Sequence, residues 1–192
     1  MLTKFKGADM KRFYLLLVLA SIFTIGCGGI SKQLETNDPG STSLVYGHID
    51  MGKAPCELGW LDLKQVLPVT DKPYWHVRID KGAFYDETIR PGSYQMSGLG
   101  GAGKGFLIFS SNTVYTFNFP VQTEGFRVDQ PGKLHYLGSW KITSKGDFFS
   151  SSYSIVPTAS PTEKEILEIV LPRSKGTQWE GMIQRRIRKL TK

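Results

Sequence analysis

Three groups of residues in this chain have types and spacings that invite a chemical reading. The first is Gly98-Leu99-Gly100-Gly101-Ala102-Gly103-Lys104-Gly105, which follows the spacing of a phosphate-binding loop as far as its lysine. Such a loop next needs Ser or Thr to hold magnesium, and it must open a helix whose amides face the phosphate. Gly105 stands where the hydroxyl is required, and residues 106–109, Phe-Leu-Ile-Phe, have the character of a strand. The segment therefore reads as a glycine loop between two strands, and no nucleotide is expected. The second group is His48, His76 and His135. Alternation puts each on the polar side of a strand, and a metal centre needs three or four converging ligands. His48-x-Asp50 and His76-x-Arg78-x-Asp80 place groups on one face, but Arg78 repels a cation, so no metal is expected. The third is the carboxylate pair Asp86-Glu87, which reads as part of a loop. There is no Gly-x-Ser-x-Gly elbow and no assignable Cys–His pairing. The expectation is a protein without catalytic residues or cofactors.

The cysteines carry a clearer signal. Lys4, Lys6, Lys11 and Arg12 form a basic stretch, residues 13–25 are apolar, and Gly26 precedes Cys27. Basic residues, a short apolar run and a small residue make a secretory signal, with Met1 or Met10 as its start. Thr24-Ile25-Gly26-Cys27 resembles the bacterial lipobox, departing from it only at Thr24, where an aliphatic residue is usual. That resemblance implies that Cys27 becomes the first residue of the mature chain and carries a diacylglycerol thioether and an acylated amine. Several acyl chains on one residue make a stable anchor, at about 0.8 kcal/mol per buried methylene. Gly28 is not aspartate, which by the same resemblance directs the protein to the outer membrane, facing the periplasm or the cell surface. Cys56 is then a lone thiol, either buried as a small apolar residue or paired with another chain.

Composition agrees with an exported globular domain. Of 192 residues, 40% are hydrophobic and 12% aromatic, too many for a disordered chain. Two cysteines are too few for a disulfide scaffold, and no apolar run of about 18 residues is present to span a bilayer. No internal repeat is evident. The overall charge is +7, but residues 27–171 hold 13 basic and 15 acidic residues, while residues 172–192 hold 7 basic and 1 acidic. The basic excess thus belongs to the signal and the C-terminus, which argues against a nucleic-acid-binding domain.

These residues need a frame. Residues 27–43, polar and glycine-bearing, read as a flexible tether. From residue 44 to 156 the signals are β: short segments rich in aromatic and β-branched residues, separated by Gly/Pro turns. Strands are expected at 43–50, 58–67, 74–80, 94–99, 106–109, 113–119, 126–128, 134–142 and 148–156. In 74–80 the alternation puts Trp75, Val77 and Ile79 on one face. The period then changes to helical. Ser160-Pro161-Thr162-Glu163 reads as a capping box with proline at the first helical position. Ile166, Leu167 and Val170 share a face, and Pro172 ends that helix. Thr177-x-x-Glu180 reads as a second box, followed by the apolar stripe Trp179, Ile183, Ile187 and Leu190. Residues 157–192 are thus expected to form a helical hairpin packed on the sheets. The basic residues of its second helix have two readings: a solvated face that complements the helix dipole, or a contact with anionic lipid or an acidic partner. The candidate contact residues are Trp179, Arg185, Arg186, Arg188 and Lys189.

Residues 82–96, Gly-Ala-Phe-Tyr-Asp-Glu-Thr-Ile-Arg-Pro-Gly-Ser-Tyr-Gln-Met, follow a G-x-F…I-x-P-G-x-Y-x-M pattern. It resembles the transthyretin-like and carboxypeptidase-regulatory-like, or prealbumin-like, β-sandwich domains. Phe84 and Ile89 would enter the core, Pro91-Gly92 would turn the chain, and Tyr94 and Met96 would point inward. Residues 131–138, Pro-Gly-Lys-Leu-His-Tyr-Leu-Gly, further resemble a segment of uncharacterised bacterial lipoproteins built on such a domain. The resemblance covers residues 44–156 and implies an antiparallel β-sandwich, mainly non-enzymatic. The function it implies is a lipid-anchored envelope module for binding or assembly with another envelope protein. The alternative is an envelope carrier or receptor for a small apolar ligand.

Overall fold

The computed structural model describes residues 32–35, 39–104, 114–119, 125–145 and 152–192. The signal segment, Cys27 and the strand expected at 106–109 lie outside these residues. The chain is mainly β, with two sheets and two helices. Its strands are β1 (Ser43–Asp50), β2 (Trp60–Leu67), β3 (Tyr74–His76), β4 (Arg78–Asp80), β5 (Ala83–Ile89), β6 (Gly92–Ala102), β7 (Val114–Asn118), β8 (Phe126–Val128), β9 (Leu134–Lys145) and β10 (Ser152–Thr158). Helix α1 is Glu163–Val170, a 3-10 turn is Leu171–Ser174, and helix α2 is Gln178–Leu190.

The first sheet runs β10-β9-β1-β5-β4 and the second β3-β2-β6-β7, with β8 also on β6. Between the sheets lies one core, in which Val45, Ile49, Phe84 and Ile142 meet Leu61, Leu63, Tyr94 and Leu99. The other face of the first sheet is buried too. Leu44, Tyr46, Ala83 and Tyr85 pack there beneath Ile166, Leu167, Val170, Trp179 and Ile183. The order of layers is therefore helices, first sheet, second sheet. Strands β1 and β5 are covered on both sides, which is why they read as near-continuous buried runs.

Phe84, Ile89, Tyr94 and Met96 all enter the inter-sheet core, as the 82–96 pattern predicts. Several other expectations are corrected. The sandwich is not wholly antiparallel, because β1 pairs parallel with β9. The strand expected at 74–80 is two strands: β3 pairs with β2 in the second sheet, and β4 pairs with β5 in the first. The chain crosses between sheets at Val77, itself buried. Residues 98–102 are not a loop but the second half of β6, paired with both β2 and β7. Glycine is needed there for close approach. A Cβ on Gly101 would lie 1.9 Å from the Glu57 carbonyl oxygen, and one on Gly100 would lie 2.1 Å from that of Tyr115.

The first helix is capped two residues later than expected. Thr162, not Ser160, is the N-cap, with Glu165 closing the reciprocal box. Glu163 is engaged instead by Tyr46 and Arg186. The second box is incomplete: the Thr177 hydroxyl donates to the Ser174 carbonyl, and Glu180 accepts from the Gly176 amide. The expectation of a flexible tether is corrected at residues 32–35. Leu34 is buried in the core under the helices, and its amide donates to the Arg173 carbonyl at 2.8 Å.

The β4–β5 hairpin turns on Lys81 and Gly82, with φ of 51° and 80°. Two central residues at positive φ match the right-handed twist of the strands, and Asn or Gly is favoured at the first. Lysine there bears a steric cost of about 1 kcal/mol. Lys81→Asn is therefore expected to raise stability by about 0.5–1 kcal/mol. An unchanged or lower denaturation midpoint would contradict this.

Candidate functional site

The helix-covered side of the first sheet holds a cluster of charges. Arg78 and Asp80 come from β4, and Asp86 and Glu87 from β5. Glu87 is fully buried, and Asp80 and Asp86 nearly so. The Arg78 guanidinium lies 2.5 Å from Glu87 and 3.7 Å from both Asp86 and Glu35. Asp80 accepts from Lys32 at 2.8 Å and from Arg173 at 2.7 Å. The Glu35 amide donates to Glu87 and the Tyr85 hydroxyl donates to the Lys32 carbonyl, at 2.8 and 2.6 Å.

Burial pushes Asp86 and Glu87 above the usual carboxylate range, against the pull of Arg78. Burial also acts upward on Asp80, but the hydrogen bonds from Lys32 and Arg173 outweigh it and hold the carboxyl low. Burial pushes the Tyr85 hydroxyl up to about 12. Every carboxylate buried in this cluster lies beside a cation. The arrangement clamps residues 32–35 to the sheet and to the 3-10 turn, and it offers no free base or nucleophile.

The charge cluster is the main feature that sequence reasoning missed. Asp86-Glu87 lies in β5 rather than in a loop, because a strand buried on both faces shows no alternation. A signal was present in the matching charges of Arg78-x-Asp80, whose strand precedes β5 by one tight turn.

The other candidates are dispersed. His48 lies in β1, where burial pushes its imidazole below the ordinary range. His76 pairs with Asp62 at 2.5 Å on the second sheet. His135 is held low by burial in β9. Among the described residues no group of three or more His, Cys, Asp and Glu is placed to hold a metal ion. Cys56 is buried, and burial raises its thiol. Trp179 is fully buried under the helices, so it faces neither partner nor membrane, and its place in the contact set is corrected. Arg186 makes a two-pronged pair with Glu163, at 2.8 and 2.9 Å. Burial acts upward on Glu163, and the Arg186 contact outweighs it and holds the carboxyl low. Arg185, Arg188 and Lys189 are exposed.

Open depressions and an apolar tip mark the surface of the described residues. A groove of about 620 Å3 lies at the end of the sandwich that carries the β4–β5 turn, lined by His48, Asp50, Glu57, Lys81 and Lys104. A cleft of about 450 Å3 lies between β7 and β10, lined by Tyr115, Phe117, Tyr153 and Ile155. At the opposite end from the groove, the β2–β3 connection exposes Val66, Leu67, Val69 and Tyr74, with Val69 85% exposed.

No protein-family model, curated protein or solved structure matches this chain.

Proposed function

We propose that this chain is a lipid-anchored protein of the bacterial envelope whose prealbumin-like sandwich serves binding or assembly rather than catalysis. The observation that carries the reading is Thr24-Ile25-Gly26-Cys27 directly after a basic stretch and a short apolar run. Cys27 is the lipidated residue, and the outer membrane is the destination. The inward placement of Phe84, Ile89, Tyr94 and Met96 supports the prealbumin-like comparison. The charge cluster is consistent with a structural role, since its carboxylates lie beside cations. The exposed apolar tip formed by Val66, Leu67, Val69 and Tyr74 is the surface best suited to a protein partner. It lies at the end of the sandwich away from Lys32, where the chain enters the domain.

Detergent phase partition of the native protein and of Cys27→Ala tests the anchor. The native protein should enter the detergent phase, and the variant should lose the acyl mass. Equal acylation or equal partition in the variant would sink the reading. Photo-crosslinking from position 69 in native membranes tests the contact and should capture one stoichiometric envelope protein. Capture of none counts against assembly.

A further inference from the structure

Helix α2 presents a basic face that its own fold leaves unsatisfied. At about 100° per residue, Trp179, Ile183, Ile187 and Leu190 fall on one side. Arg185, Arg188 and Lys189 fall on the opposite side. All three are exposed, and none has a salt-bridge partner among the described residues. The only carboxylate on the helix is Glu180, which lies to one side and accepts from the Gly176 amide. The exposed acids Glu165 and Glu168 belong to α1, where Glu165 is tied to Thr162. The other arginine of the helix, Arg186, is already spent on Glu163. Three cations of the helix therefore share one outward face with no acid among them.

The entry of the chain into the domain adds a second constraint. Residues 32–35 run under the helical layer: Leu34 packs in the same core as Val170, Trp179 and Ile183, and its amide bonds the turn between the two helices. Only residues 28–31 separate Lys32 from Cys27. Five chain steps extend at most about 18 Å. A bilayer that holds the lipid is then within about 18 Å of Lys32, while α2, with 13 residues, is about 20 Å long. Under the lipid-anchor reading that reach is comparable to the length of the helix, so the headgroups are accessible to α2.

We infer that the outward face of α2 lies on anionic lipid headgroups and orients the anchored domain on its membrane. This rests on the lipid-anchor reading above. The occupant is an anionic lipid surface, because the face is cationic and the anchor supplies the surface at that distance. Each cation near such a surface raises partition by about fivefold, and salt weakens the effect.

The test uses the full lipidated chain in vesicles containing one third phosphatidylglycerol, compared with phosphatidylcholine alone. A fluorophore is placed on the exposed outward position by Gln178→Cys and, in a second sample, on the second sheet by Thr116→Cys. Quenching by acrylamide reads exposure. The label at 178 should be shielded about threefold in anionic vesicles only, and the label at 116 should be unaffected. Arg185→Glu, Arg188→Glu and Lys189→Glu together, or 0.5 M salt, should abolish the shielding while circular dichroism stays unchanged. Equal quenching at 178 in both vesicle types, or shielding that survives charge reversal, would overturn the inference. So would shielding that needs an acidic envelope protein rather than lipid. Mass analysis of the Cys27 peptide reads the anchor separately. An unmodified cysteine defeats the anchor and this inference with it, whereas unshielded α2 on acylated protein defeats this inference alone.

Discussion

Replacing Arg78 by alanine should destabilise the domain by about 3–5 kcal/mol, since it leaves a buried carboxylate without its cation. Glu87 is fully buried and lies 2.5 Å from the guanidinium, with Asp86 and Glu35 within 3.7 Å. The loss should depend on pH in a defined direction. Burial holds Asp86 and Glu87 above their ordinary range, so the folded chain binds their protons more tightly than the unfolded chain. Their ionised forms cost stability above the folded pKa, and that cost falls as pH drops toward the unfolded value. Without Arg78 the cost grows, so the deficit of the variant should be largest near pH 7.5 and shrink toward pH 5. Asp80 works in the opposite sense. Its lowered pKa contributes stability above the ordinary aspartate range, and that contribution is lost as pH falls through the folded value. Asp80 keeps Lys32 and Arg173 in the variant, so its contribution cancels in the comparison. Arg78→Met combined with Glu87→Gln should recover part of the loss, because Glu87 then carries no unpaired charge, while Asp86 keeps only its hydrogen bonds from Thr88. Denaturant midpoints measured across pH 5–7.5 decide the matter. A deficit that is flat with pH, or a double variant as unstable as Arg78→Ala, would show that the pair does not act through buried charge.

The difference between what was legible and what was not follows from where each signal resides. Half-buried strands announce themselves by alternation, and β2 shows it: Leu61 and Leu63 are buried while Asp62 and Lys64 are not. The central strands do not, since a third layer covers their outer face. That is why Asp86-Glu87 reads as a loop in the sequence. The glycines of β6 imitate a loop because composition records only that side chains are absent. Their cause is tertiary: the Glu57 and Tyr115 carbonyls occupy the space where a Cβ would stand. The parallel pairing of β1 with β9 joins segments some ninety residues apart and leaves no local mark. At the first helix two overlapping registers fit a capping box, Ser160 with Glu163 and Thr162 with Glu165. Tyr46 and Arg186 take Glu163, which leaves the later register to cap the helix. The candidate contact residues of the second helix divide the same way. Their apolar member, Trp179, went to the core by the periodicity that marks core residues, and the basic members opposite it stayed at the surface.

Trp179→Ala should cost about 3–5 kcal/mol, comparable to the loss of Arg78 but independent of pH between 5 and 7.5. Trp179 is among the largest fully buried side chains, and it sits where the helices meet Tyr46 and Tyr85 of the first sheet. Truncation leaves a cavity that a layer pinned by Arg186–Glu163 on one side and Arg173–Asp80 on the other cannot collapse to fill. Leu34 shares this core, so Leu34→Ala should cost about 2–3 kcal/mol even though it lies in a stretch that reads as tether. The two side chains line one apolar cluster, and a double-mutant cycle should return a coupling of about 0.5–2 kcal/mol. Strict additivity would mean that residues 32–35 do not dock on the helices, which would free the entry of the chain from the helical layer. A measured coupling ties the entry of the chain to the helical layer. A force applied at the entry of the chain would then act on the helical hairpin and the charge cluster together.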